Sequence, residues 1–283
     1  MITYFQALII GLLQGITELF PVSSLGHSVL IPKLLGWNNI VTSESGSESS
    51  YLAFIVGLHC ATAIALIIFY RKTWAKLLRS FFHSLKAKKV ESSNERLAWL
   101  LIVATIPAGI TGVIFEHKFR TIFAKPLAAA IFLTINGLIL FIGERYRKSA
   151  AGRRPKRVLS NFAYKEAGII GTAQVLALLA GISRSGITMV AGLVRGLSHE
   201  DAANFSFLLA TPIILGAGIY KLPDLLGPLG NGIRGQVVFG SIAAGIAAYF
   251  SVRFLTRYFQ TKTLTPFAIY SFVFGLLMIL RFA

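Results

Sequence analysis

A single cysteine, Cys60, in 283 residues excludes an intramolecular disulfide and leaves the redox compartment unread. Charge is scarce as well: Asp, Glu, Lys and Arg together make up 14% of the chain, against 55% hydrophobic residues. Acids are the rarest, 11 against 28 Lys and Arg. This balance excludes a soluble domain of ordinary composition. A formal charge of +17 on a soluble domain would point to nucleic acid, but here the basic residues fall between apolar runs, where they act as topology signals. No nucleic-acid partner is expected. The first twenty residues lack Lys and Arg, so the basic start of a secretory signal is missing and the N-terminus is read as retained.

What is present is apolar length. Six runs are long enough to cross a bilayer: 51–70, 97–115, 127–143, 202–220, 236–252 and 264–280. They are read as helices, because an isolated strand cannot satisfy its backbone in lipid. Two further regions, 2–35 and 166–197, are apolar but broken, the first by Pro21 with Gly26 and the second by Gly181 with Gly186. Each reads as two half-helices meeting at a polar elbow. The expected fold is an all-α polytopic membrane protein, one integral domain over 1–283, with six transmembrane helices and two re-entrant broken-helix elements.

Lys and Arg crowd the connections 71–96 and 145–165, which the positive-inside rule makes cytoplasmic. Alternation then puts the Ser-rich acidic stretch 42–50 and the loops near 116–126 and 221–235 outside. At a constant offset of 160 residues, Gly11 pairs with Gly171, Gln14 with Gln174, Ser23 with Ser183 and Gly26 with Gly186. Each broken segment is followed by three crossings, an odd number, so the second half is expected to be inverted. The division is a first repeat 1–144, a cytoplasmic basic linker 145–165 and an inverted second repeat 166–283. The two elbows then enter from opposite sides and their tips meet within the membrane.

The elbows carry the chemistry. Glu18 is the acid placed within an apolar element, the others falling in loops or at segment ends, and Gln14 lies one turn earlier on the same helical face. Intramembrane ionisable groups are costly and mark function. In the second elbow, Gly181-Ile-Ser183-Arg184-Ser185-Gly-Ile-Thr188 sets a permanent cation among hydroxyls, just before a helical run. A half-helix N-terminus and the Arg donor fork both suit phosphate. Structural alternatives stand beside this. Ser23, Ser24, Ser185 and Thr188 can cap or bond back to their own helices. Arg184 can pair with Glu18 as a buried ion pair. His59, alone in a crossing, reads as packing or as support behind the site, and His83, His117 and His199 sit near segment ends with no assigned role. His27 differs because it shares an elbow with Glu18.

Gln14-Gly-Ile-Thr-Glu18 with Pro21-Val-Ser-Ser-Leu-Gly-His27, followed by Gly181-Ile-Ser-Arg184-Ser-Gly-Ile-Thr188, resembles the undecaprenyl pyrophosphate phosphatase, or bacitracin-resistance, family. Phe205-Ser-Phe-Leu-Leu-Ala and Pro266-Phe-Ala-Ile-Tyr270 extend the resemblance over nearly the whole chain. The resemblance implies a bacterial inner-membrane enzyme that removes one phosphate from undecaprenyl pyrophosphate so that the lipid carrier is reused in cell-wall synthesis; the outward entry of the first elbow makes the site open to the external face. Two departures show: Gln14 where the family often has Glu, and Ala180-Gly181 where it often has Pro-Gly. An amide can coordinate a metal or orient water but cannot act as a base, which leaves Glu18 to carry that role alone.

The resemblance further implies that Ser23, Ser24, Ser183, Ser185 and Thr188 with Arg184 grip the pyrophosphate, and that a divalent cation, Mg²⁺ or Ca²⁺, bridges it to Glu18 and Gln14. His27 is either the nucleophile or the acid–base group serving water. A transporter or flippase of a lipid phosphate or other anion is the rival, since broken inverted repeats are a transporter design. The phosphatidic-acid phosphatase type is set aside because it expects His six residues after the Arg, where this chain has Val190. The small-residue face Gly240, Ala244, Ala248 permits close helix packing, within one chain or in a homodimer.

Overall fold

The computed structural model describes residues 2–37, 40, 50–123, 125–150, 157 and 159–283, without the side chains of 116–123, 150 and 160. Every regular element among them is helical. Eleven α-helices follow in order: α1 Tyr4–Thr17, α2 Ser24–Leu34, α3 Ser50–Phe69, α4 Arg71–Ala87, α5 Ser93–Phe123 and α6 Pro126–Ala150, then α7 Tyr164–Gln174, α8 Arg184–Val194, α9 His199–Leu226, α10 Arg234–Thr261 and α11 Thr265–Phe282. Of these, α3, α5, α6, α9, α10 and α11 are long and apolar enough to cross a membrane. The twenty residues of α3 span about 30 Å, one hydrocarbon thickness. This is an all-α, multi-pass membrane protein.

The two broken segments are built alike. α1 opens on a capping box in which Thr3 Oγ1 accepts from Gln6 N and Gln6 Oε1 from Thr3 N, at 3.2 and 2.9 Å. It stops at Thr17, the chain turns through Pro21, and α2 starts on Ser23, whose Oγ accepts from Gly26 N at 3.2 Å. α7 likewise starts with Glu166 reaching back to Ala163 N, at 2.8 Å. It ends in a 3₁₀ turn, Val175–Leu178, and α8 starts on Ser183, whose Oγ accepts from Gly186 N at 3.1 Å. Gly181 makes the turn possible: its φ is +112°, and a Cβ there would lie 2.4 Å from Ala129 O.

Packing of the elbows on the bundle uses missing side chains. A Cβ at Gly11 of α1 would lie 2.3 Å from Gly240 O of α10, and one at Gly171 of α7 would lie 2.4 Å from Ala104 O of α5. The face of Gly240, Ala244 and Ala248 is therefore occupied within the chain, by Gly11 and Gly15 of α1.

Several expectations change here. Part of the connection 71–96 is the helix α4, which exposes Lys72, Lys76 and Arg79 along with Leu78 and Phe82 while burying Leu77 and Ser84. Trp99 Nε1 of α5 donates to Ser84 Oγ at 3.0 Å and holds it down. Glu144, read as a segment-end acid, is buried in α6 and pairs with buried His199 of α9 at 2.5 Å, while its Oε1 also accepts from Leu264 N at 2.8 Å. Residues 42–49 and the basic cluster Arg153, Arg154 and Lys156, like the His117 side chain, lie outside the described residues.

Candidate active site

The two elbows touch. Ser23 Oγ, besides capping α2, accepts from Gly181 N of the second elbow at 3.1 Å, and Ser185 Oγ donates to Phe20 O of the first at 3.3 Å. Asn136, midway along α6, clips both: its Nδ2 donates to Pro21 O at 3.0 Å and to Ser271 Oγ of α11 at 3.2 Å, while its Oδ1 accepts from Ser183 N at 2.9 Å. Asn136 is fully buried, so each of these groups would otherwise be an unpaired polar atom in an apolar interior. A lone Asn inside the run 127–143 was the available signal for it.

Across this junction the acid of one elbow meets the cation of the other. Arg184 Nη2 and Nε lie 3.1 and 3.3 Å from Glu18 Oε1, both side chains being largely buried. Arg184 is steadied by Nη1 donating to Ser206 O of α9 at 3.2 Å. The second carboxylate oxygen is crowded: Gln14 Nε2 donates to it at 3.2 Å and Ser24 Oγ at 2.5 Å, and His59 Nε2 of α3 lies 3.3 Å away, donating when the ring is protonated because Nδ1 faces Ile55 O. The ion-pair alternative for Arg184 thus describes its geometry. Pairing also explains how a carboxylate is tolerated there. Gln14 Oε1, by contrast, is buried with no hydrogen-bond partner among the described residues.

His27 is buried beside this cluster. Its Nδ1 lies 2.7 Å from Ser23 O, an acceptor only, so that nitrogen carries a proton. Nε2 is then turned to the Tyr270 hydroxyl of α11 at 2.8 Å. Tyr270 and Phe274 stack nearly parallel to the imidazole, with interplanar angles of 9° and 17°. Gln14, Ser24, His27 and Ser28 line one cavity of about 10 Å³, room for about one water.

The remaining hydroxyls are engaged locally. Ser183 Oγ lies 3.0 Å from Ser185 Oγ, and Thr188 Oγ1 donates to Arg184 O at 2.8 Å and lies 2.7 Å from Ser206 Oγ. The structure therefore brings Gln14, Glu18, Ser24 and Arg184 into direct contact and sets His27 against Ser23 and Tyr270. It adds His59, Asn136, Ser206 and Tyr270, all contributed by other helices. His59 lies midway along Ser50–Phe69, so the junction sits near the middle of a crossing helix.

The profile of the family described as "Bacitracin resistance protein BacA" matches residues 7–277, a span that includes both elbows. The chain belongs to this family. Among curated BacA-family relatives it is 54% identical to Undecaprenyl-diphosphatase 2 of Frankia alni, over 100% of this chain and 98% of the relative. It is 53% identical to Undecaprenyl-diphosphatase of Mycolicibacterium paratuberculosis, over 97% and 95%, and 41% identical to Undecaprenyl-diphosphatase 2 of Burkholderia thailandensis, over 94% and 92%.

Proposed function

We propose that the chain hydrolyses undecaprenyl pyrophosphate to undecaprenyl phosphate and inorganic phosphate, recycling the lipid carrier for bacterial cell-wall synthesis. The observation that carries this reading is the junction itself: Glu18 of one elbow held 3.1 Å from Arg184 of the other, beside His27, amid helices long enough to cross a membrane. The names of the relatives give the substrate.

The residues divide the work. Phosphoanhydride hydrolysis needs positioning and charge neutralisation more than covalent help from the protein. Arg184, at the first position of α8, exchanges Glu18 for pyrophosphate oxygens, adding its donor fork to the positive end of the helix. Ser183, Ser185 and Thr188 stand at the start of α8, and from the first elbow come Ser23, which meets Gly181 N, and Ser24, which holds Glu18. Water adds to the terminal phosphorus, the bridging P–O bond breaks, and undecaprenyl phosphate leaves. His27 Nε2 is the nitrogen available for this, either taking the proton from water or attacking phosphorus first to give a phosphohistidine that water then cleaves. Tyr270 has to yield that nitrogen in both routes. Accumulation of an acid-labile phosphoenzyme in single turnover selects the second.

For a divalent cation the donor set is sparse but suitable in kind. Among the described residues no three His, Cys, Asp or Glu side chains are grouped to hold a metal. Glu18 with the unpartnered Gln14 Oε1 offers two hard oxygens, and Mg²⁺ commonly binds through one carboxylate plus substrate phosphates. A bound cation would neutralise phosphate charge at Glu18.

The protein is read as resident in the bacterial inner membrane, with basic connections inside and the site opening to the external face; the support is the Lys and Arg distribution. An inverted repeat is supported by the matched Ser caps of α2 and α8 and by the reciprocal packing of α1 on α10 and α7 on α5. No second copy is needed, since one chain supplies both elbows. A transporter would need the cationic grip but not Glu18 with His27, and the relatives' names do not favour it.

The test is phosphate release from a long-chain polyprenyl pyrophosphate by detergent-purified protein, with and without chelator. Metal-dependent release that His27→Ala abolishes, with lipid binding retained, is expected. No release by folded protein across several divalent metals would move the assignment to transport.

A further inference from the structure

Glu18 presents its two oxygens to two different sets of donors. Among the described residues Oε1 faces Arg184 alone, at 3.1 and 3.3 Å, whereas Oε2 faces Gln14, Ser24 and His59. One guanidinium cannot hold the carboxylate and grip a pyrophosphate with the same N–H groups. When Arg184 turns to substrate, Oε1 is released and only the Oε2 donors keep the carboxylate in place. Gln14 and Ser24 belong to the same elbow as Glu18 and move with it. His59 does not: it stands on α3, which packs against α9 and α10, and its ring is fixed by Nδ1 against Ile55 O at 2.9 Å.

We propose that His59 is a positioning residue for the reaction, anchoring Glu18 Oε2 to the bundle while Arg184 leaves Oε1 for the pyrophosphate. A histidine serving only as packing needs no polar partner, yet both ring nitrogens of His59 lie against oxygen atoms. The tie comes from α3, outside both elbows, and therefore sets the carboxylate's place relative to the helices around it. With it, Oε1 freed by Arg184 stays aimed at the phosphate site. Without it, the carboxylate follows Arg184 or swings toward Ser24. This inference rests on the phosphatase reading, and wild-type turnover tests that reading separately.

The experiment compares His59→Leu and His59→Gln with wild type for phosphate release, with kcat and KM resolved and thermal unfolding in detergent as the folding control. Leu keeps bulk without a donor; the Gln amide nitrogen restores a donor near the place of Nε2. His59→Leu is expected to lower kcat by about tenfold or more with KM little changed, and His59→Gln to recover most of the loss. Should the Leu variant unfold, the Gln variant decides by retaining turnover at an unchanged unfolding temperature. Wild-type kcat in His59→Leu, equal losses in folded Leu and Gln variants, or a raised KM at constant kcat would each overturn the proposal. Absence of turnover in the wild type would instead remove the phosphatase reading.

Discussion

The two elbows share a scaffold and differ in what it carries. In each, a Ser caps a half-helix by accepting from the N–H of a Gly three residues on, at 3.2 Å in the first and 3.1 Å in the second. The second cap has relaxed extended backbone, with Ser183 at φ −83°, because Gly181 at φ +112° takes the turn. The first has no such glycine, and Ser23 itself sits at φ 69°, a conformation that non-glycine residues adopt only when their surroundings hold them there. What holds it is the second elbow, through Gly181 N on Ser23 Oγ at 3.1 Å. Strain thus lies on the side bearing Glu18 and His27, and the side bearing Arg184 restrains it. The cap is architecture, and the chemistry is set by the residues added to each copy of it.

The comparison breaks most sharply at Arg184. Arg184→Ala is expected to reduce phosphate release by about a hundredfold or more, and Arg184→Lys, which keeps charge but loses the fork, to restore only part. Next is the turn. Gly181→Ala puts a Cβ 2.4 Å from a backbone oxygen at a φ that disfavours it, and should cost about 3 kcal/mol in unfolding measurements, whereas Gly26→Ala, whose nearest atom is 3.0 Å away, should cost less. Smallest is the difference between the caps. Ser183→Ala should cost about 1 kcal/mol and Ser23→Ala about 2, since Ser23 Oγ serves two N–H groups and one of them belongs to the other elbow. Equal costs would mean that the cross-elbow bond contributes nothing.

Much of this was legible in sequence for one reason: lipid allows few solutions. Crossing helices must be long and apolar, so their six runs stand out, and a break in an apolar segment needs residues such as Pro21 or Gly181. Glu18 and Arg184 were visible because charge is expensive there. The partners arriving from other helices were less so. His59 was read as packing or as support behind the site, and the structure places it in support of Glu18, whereas Asn136 and Tyr270 had no assigned role there; each sits singly in an apolar run, and only tertiary packing brings them to the elbows. The α4 helix was hidden because its basic residues dominate the segment. Glu144 and His199 are 55 positions apart, each near a segment end, and neither hints at the other. Thr188 illustrates the converse: its placement beside Arg184 was evident, but its hydroxyl is spent on its own helix and Ser206.

The central claim is that the two elbows form one site, and a double-mutant cycle tests it most directly. Phosphate release would be measured for Glu18→Gln, Arg184→Ala and the double variant, each shown folded by thermal unfolding. A single site predicts that the double variant is about as impaired as the worse single one, because each change disables the same machinery. Losses that multiply would contradict it and assign the two elbows to independent roles.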